Sequence, residues 1–160
     1  MRVTLFAIGR LKAGQEAELA GRYLDRLGKA GAAVGLEYAR TVEISESRAQ
    51  TADVRKREEA RELEKALPHA AALIVLDERG TSLTSPDFAN LLARLRDEGR
   101  RDLVLAIGGA DGFDASVRQK ADAVISFGRM TWPHQLVRIM LAEQLYRATT
   151  ILSGHPYHRA

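Results

Sequence analysis

Four short apolar runs, at residues 3–8 (broken only by Thr4), 71–76, 103–107 and 123–126 (closing on Ser126), constrain this chain more than anything else in it. A strand with water on one face alternates apolar and polar residues, whereas a strand covered on both faces does not. Continuous runs separated by helical patterns are the mark of a parallel sheet with helices on both faces. The intervening segments fit that reading. Residues 15–27 place Leu19, Tyr23, Leu24 and Leu27 at helical spacing, and residues 52–67 form a strongly charged helix with a thin apolar stripe of Val54, Ala60, Leu63 and Leu67. Ser85-Pro86-Asp87 reads as a helix start, with a cap, a proline in the first turn and an acid at the positive end of the dipole. Phe88, Leu91, Leu92 and Leu95 supply that helix's buried face. A further strand is expected over 34–42, a polar loop over 44–51, a short helix capped by Asp114 and running to Lys120, and a last helix from Pro133 to about Thr149. With no linker and no internal repeat, the expectation is one α/β domain over residues 1–160, a parallel sheet flanked by helices.

Composition narrows the setting. The 160 residues include no cysteine, which excludes disulfides, iron–sulfur clusters and cysteine-based zinc sites and suits a reducing cytoplasm. Six apolar residues near the N-terminus are too few for a signal-peptide core or a membrane span, so a cytoplasmic protein with no membrane partner is expected. The net charge of +3 is unevenly placed. Residues 126–160 carry Arg129, Arg138, Arg147 and Arg159 against the single acid Glu143, and three of the four histidines. A local basic patch is the footprint of a nucleic-acid binder, although a chance surface imbalance accounts for the charge equally well.

Three stretches lie just beyond the carboxyl ends of strands, where parallel-sheet proteins hold their ligands. They are residues 76–80, the glycine loop Gly108-Gly109-Ala110-Asp111-Gly112, and residues 127–132. By itself the glycine loop reads as a tight strand-to-helix turn. It lacks the dinucleotide spacing, and no Walker-type lysine follows it, so a nucleotide triphosphate is not expected there. Asp111 and Asp114 read as turn and cap residues. His155-Pro156-Tyr157-His158 offers two histidines across a proline, which does not complete a zinc site, so no metal is expected. Tyr157 suits stacking on a base and Arg159 suits phosphate. In the last helix Leu136, Val137, Ile139, Met140, Leu141, Leu145 and Tyr146 cover more than half the circumference. Such a helix is central to the monomer or meets a second subunit. Glu143 and Arg147 form a helical pair, while His134 and Arg138 share a polar face near the helix start, within reach of the pocket.

Trp132-Pro133-His134-Gln135-Leu136-Val137-Arg138, Ala142-Glu143-Gln144-Leu145-Tyr146-Arg147-Ala148 and His155-Pro156-Tyr157-His158-Arg159, with Leu76-Asp77 and the glycine loop upstream, closely resemble the ribosomal RNA large-subunit methyltransferase H family. The resemblance covers the whole chain, and its specific residues fall between Leu76 and the C-terminus. It implies a SPOUT-type α/β methyltransferase with a C-terminal trefoil knot. It also implies a homodimer joined through the last helix, and S-adenosylmethionine bound by Leu76, Gly108, Phe127, Gly128, Arg129, Met130, Thr131 and Trp132. The implied substrate is N3 of a pseudouridine in 23S ribosomal RNA, within assembled ribosomes. Ala110 and Asp111 stand where the family commonly has proline and glutamate, and Gly128 and Arg129 where it usually has serine.

A sulfonium methyl needs no activation, so catalysis is expected to rest on in-line positioning and on removal of the N3 proton. On that reading His155 is the leading candidate proton acceptor, Tyr157 shapes the base pocket, and Arg138 and Arg159 neutralise the pyrimidine anion or hold phosphates. Two other readings stay open at this point: a knotted methyltransferase acting on transfer RNA, and a non-catalytic RNA- or ribosome-binding module.

Overall fold

A computed structural model describes residues 1–158. In chain order the elements are β1 (Arg2–Ile8), α1 (Gln15–Ala30), a 3-10 turn (Gly31–Val34), β2 (Glu37–Ile44), α2 (Ala52–Ala66), β3 (Ala72–Ser82), α3 (Ser85–Asp97), β4 (Asp102–Ile107), α4 (Ala115–Lys120), β5 (Ala123–Ser126) and α5 (His134–Leu152). The strands form one five-stranded sheet in the order β2-β1-β4-β3-β5, and every pair is parallel.

The continuous apolar runs are explained by the two cores they serve. Val3, Leu5 and Ala7 of β1, Ala72 and Ile74 of β3, and Leu103, Leu105 and Ile107 of β4 face one way, toward Leu27 of α1, Phe88 and Leu92 of α3, and Leu141 and Leu145 of α5. Phe6 and Ile8, Leu73 and Val75, and Val104 and Ala106 face the other way, toward Ala60 and Leu63 of α2 and Val117 of α4. Neighbouring residues on a strand point to opposite faces, so a strand buried on both must be apolar at every position. Helix α5 is central, packing against both α1 and α3. Its remaining apolar residues are only partly covered: Leu136 is 40% exposed, and Ile139 and Met140 are half-buried. Among the described residues no helix is long and apolar enough to cross a membrane.

Three boundaries differ from the sequence expectations. β2 begins at Glu37, because residues 31–34 close a 3-10 turn first. The cap of α3 is Thr84, whose hydroxyl accepts the Asp87 amide at 3.2 Å, while Ser85 is the first helical residue and donates to Gln144 at 2.8 Å. β3 does not stop at Leu76. It pairs with β5 through Leu76↔Ile125, bulges over residues 77–80, and pairs again through Thr81↔Ile125 and Ser82↔Ser126. The bulge needs glycine at position 80, since a Cβ there would lie 2.5–2.7 Å from the Ile125 backbone.

Gly80→Ala is therefore expected to push β5 off the sheet edge and to destabilise the fold by about 1–3 kcal/mol, the usual cost of overpacking. Chemical denaturation of the two proteins measures this, and an unchanged midpoint would mean that β5 is not held at this contact.

Candidate active site

The sheet order brings three loops together. The β3 bulge, the loop after β4 and the loop after β5 leave the same ends of adjacent strands, and they line one cavity of ≈ 470 Å³. Leu76, Gly108, Phe127, Gly128, Met130, Thr131 and Trp132, all expected from the sequence, border it; Arg129 does not. The start of α5 contributes His134 and Val137, and α2 contributes Asp53 and Lys56.

The glycine loop is shaped from behind. A Cβ on Gly109 would come within 2.9 Å of the Glu59 Oε2 atom and 3.1 Å of Ile8, and one on Gly108 within 3.1 Å of the Phe113 ring. Only main chain fits between these groups and the cavity, so the wall is built of peptide donors and acceptors. The Gly112 amide donates to the Gly109 carbonyl at 2.9 Å and closes the turn.

Charged struts fix the loops to their neighbours. Arg55 of α2 donates to Asp111 at 2.6 Å, and this hydrogen bond holds the Asp111 carboxyl below its usual range. Arg118 of α4 donates to Asp77 at 3.1 Å and to the Phe113 carbonyl at 2.9 Å, joining the bulge to the glycine loop. Asp114 caps α4, as the sequence indicates, by accepting the Ser116 amide at 2.9 Å. After β5, the Ser126 hydroxyl donates to the Gly128 carbonyl at 2.8 Å and accepts the Gly128 amide at 3.1 Å, with Gly128 at φ 114°. Met130 and Trp132 leave apolar surface at the rim.

Arg138 requires a correction. The sequence puts it on a polar face that reaches the pocket. The structure buries it at 6% exposure, paired with Glu43 of β2 and donating to the Ile8 and Gly9 carbonyls at the end of β1. It is a strut between α5 and the sheet, not a free cation beside the cavity.

The tail leaves the other end of α5 and folds back along it toward the middle of the helix. Helix α5 has 19 residues, so about 28 Å separates its start at the cavity from its end. Tyr157 is already engaged: its hydroxyl donates to Glu143 at 3.0 Å, its ring lies 4.9 Å from that of Tyr146, and the Arg147 guanidinium sits 4.9 Å from its centroid. Burial and the Glu143 carboxylate push the phenol up to about 12. His155 is exposed, and its Nδ1 accepts the Tyr157 amide at 3.2 Å. Arg159 lies outside the described residues. Neither His155 nor Tyr157 borders the cavity of its own chain.

Sequence reasoning missed Asp53, Lys56, Arg55 and Arg118 as parts of this site, and did not give Asp77, within the expected loop, its partner Arg118. The charged α2 reads as a solvated face, and no spacing signals which of its charges meets a loop more than fifty residues away.

Glu59 connects α2 to the glycine loop and carries a pH signature. It is 4% exposed, accepts the Ser47 amide at 3.0 Å, and burial raises its carboxyl above the usual value of 4.5. A carboxyl raised in the folded state contributes stability below 4.5 that is lost as pH rises through the elevated value. Glu59→Gln is expected to flatten that fall. Urea midpoints at mildly acidic and neutral pH check this, and an unchanged slope would contradict it.

A family model described as "Predicted SPOUT methyltransferase" matches residues 1–158. The protein named "Ribosomal RNA large subunit methyltransferase H" in Rhizobium meliloti (strain 1021) is 68% identical over 160 residues, covering 100% of both chains. The protein of that name in Agrobacterium fabrum (strain C58) is 62% identical over 159 residues, covering 99% of each. Among solved structures, the SpoU methyltransferase AviRb from Streptomyces viridochromogenes, in complex with the cofactor AdoMet, aligns at TM-score 0.42 and 13% identity, over 91% of this chain and 56% of that one. This chain thus spans little more than half the length of that structure. Matched along its full length by a family model and by these relatives, the chain belongs to the SPOUT methyltransferases and, within them, to the ribosomal RNA large subunit methyltransferase H family.

Proposed function

We propose that this chain is an S-adenosylmethionine-dependent enzyme that methylates N3 of a pseudouridine in 23S ribosomal RNA, working on assembled ribosomes in the cytoplasm as a homodimer. The observation that carries the reading is the full-length identity to proteins named for ribosomal RNA methylation, combined with a cavity built from the three loops. The cavity fits the cofactor. At Gly108 and Gly109, packed from behind by Phe113, Glu59 and Ile8, the wall is main chain, and Leu76, Ile107 and Phe127 offer apolar surface to an adenine ring. The β3–β5 pairing outside β4, followed by the return of α5 to pack on α1 and α3, supports the knotted crossover that the family resemblance implies.

When bound, the cofactor supplies an electrophilic methyl group. The protein has to present a deprotonated N3 to it and hold the ring still. In this chain His155 has Nδ1 occupied by the Tyr157 amide, which leaves Nε2–H as a donor. Held this way, the imidazole stabilises the pyrimidine anion through a carbonyl oxygen, and it accepts the N3 proton at Nδ1 only if the amide contact opens. Tyr157 offers a ring edge beside Tyr146, anchored by Glu143. Arg138 acts at a distance by fixing α5, and Arg159 is proposed to hold phosphate.

The homodimer reading is supported by the position of the tail. It folds back along α5 only as far as Glu143, the tenth of the helix's 19 residues, and neither His155 nor Tyr157 borders the cavity of its own chain, so a complete site takes the tail of a second copy. The partly uncovered Leu136, Ile139 and Met140, with Met130 and Trp132 at the rim, supply apolar surface for that contact.

The test offers labelled S-adenosylmethionine with intact ribosomes lacking the modification, separated subunits and bulk transfer RNA, and maps the label by mass spectrometry. Label on one 23S pseudouridine from intact ribosomes is expected. Label on transfer RNA would move the substrate, and binding of ribosomes without label would favour the non-catalytic module. His155→Ala is expected to abolish most methylation while cofactor binding persists; near-normal turnover would remove His155 from the mechanism.

A further inference from the structure

His134 is the one histidine that borders the cavity, and nothing said so far gives it a task. It is the first residue of α5, after Pro133. Its Nδ1 is fully buried and has no hydrogen-bond partner among the described residues. A buried lone acceptor is tolerated better than a buried N–H without a partner. The tautomer that fits this position therefore carries its hydrogen on Nε2, which leaves that N–H to donate.

The surroundings of His134 differ from the rest of the wall. Asp53, Asp77, Glu78 and Asp111 border the cavity from α2, the β3 bulge and the glycine loop, together with Lys56, Arg79 and Arg118, and Asp111 and Asp77 are paired with Arg55 and Arg118, so that wall has mixed charge. At the α5 end the backbone sets the potential. Its first turn contains no acid, Pro133 offers no side-chain cap, and the Val137 amide, at 3.1 Å from the Pro133 carbonyl, is the first to find a partner in its own helix. The amides of residues 134–136 thus add positive potential beside the imidazole. The cavity has one wall of mixed charge and one end at which the backbone favours an anion.

We infer that His134 is a positioning residue whose Nε2–H, backed by the free amides at the start of α5, seats the carboxylate of the cofactor's methionyl group. The inference rests on the cofactor reading above. The carboxylate is the only anionic group of S-adenosylmethionine, and the free amides at the start of α5 add the positive potential that suits it. Seating the carboxylate at His134 fixes one end of the methionyl arm, and with it the direction in which the methyl group points.

Titration calorimetry separates this role from a structural one. Wild type, His134→Ala and His134→Gln are each titrated with S-adenosylhomocysteine, which keeps the amino-acid arm, and with 5′-methylthioadenosine, which lacks it. Hydrogen bonds to charged groups correspond to about a ten- to a hundredfold change in affinity. His134→Ala is expected to lose about that much for S-adenosylhomocysteine and to bind methylthioadenosine within about twofold of wild type. His134→Gln, which keeps an N–H donor, is expected to recover part of the loss. Equal weakening of both ligands would show that His134 only shapes the cavity, and no weakening of either would place the carboxylate elsewhere; each overturns the inference. If wild type binds neither ligand, the cofactor reading itself fails. Thermal melts of the variants confirm that each is folded.

Discussion

One buried guanidinium ties the two halves of this molecule together. Arg138 reaches from the second turn of α5 to Glu43 at the end of β2 and to the Ile8 and Gly9 carbonyls at the end of β1. Glu43 in turn accepts the Leu11 amide at 3.0 Å. Glu43 keeps some exposure, so the pair itself contributes little net stability, but the Arg138 guanidinium is buried and leaving it without Glu43 is costly. Its value lies in selecting one arrangement over others of similar hydrophobic content. Here it fixes where α5 starts, and with it the loop after β5 and the wall that His134 and Val137 add to the cavity.

The same tie directs the far end of α5 away from the cavity. Apolar packing of Leu141, Leu145 and Ala148 against the sheet holds the helix along that line. From the middle of α5 onward, Glu143, Tyr146 and Arg147 form a polar and aromatic cluster with Tyr157, which holds the returning tail against the helix. A single chain thus keeps the tail residues proposed to bind the base off its own cavity. The proposed second copy resolves the separation if its helix runs in the opposite sense, because each cavity then meets the other chain's tail.

The sheet and the position of the site were readable in the sequence because both depend on local patterns. Residues 3–8, 71–76 and 103–107 are apolar at every position but Thr4 because two cores require it, and ligands of parallel sheets gather at the strand ends those runs define. The C-terminal signature carried the family. What stayed hidden depends on partners distant in the chain. Arg138 looks like a surface cation until Glu43, 95 residues earlier, is placed beside it. Arg55 and Arg118 look like solvated helix charges until Asp111 and Asp77 arrive. The bulge at residues 77–80 is set by the closeness of Ile125 to Gly80, and no periodicity in β3 records that contact.

The central claim is that one site is completed by two chains, and mixed dimers test it most directly. Ala110→Trp, at an exposed position on the cavity wall, blocks the cavity, and His155→Ala removes the tail imidazole. Each variant alone is expected to be inactive. Co-expressed with different tags and purified through both, the mixed dimer holds one intact cavity facing one intact tail and is expected to regain methylation of ribosomes. A mixed dimer as inactive as its parents would contradict the account, since cavity and tail would then have to come from the same chain.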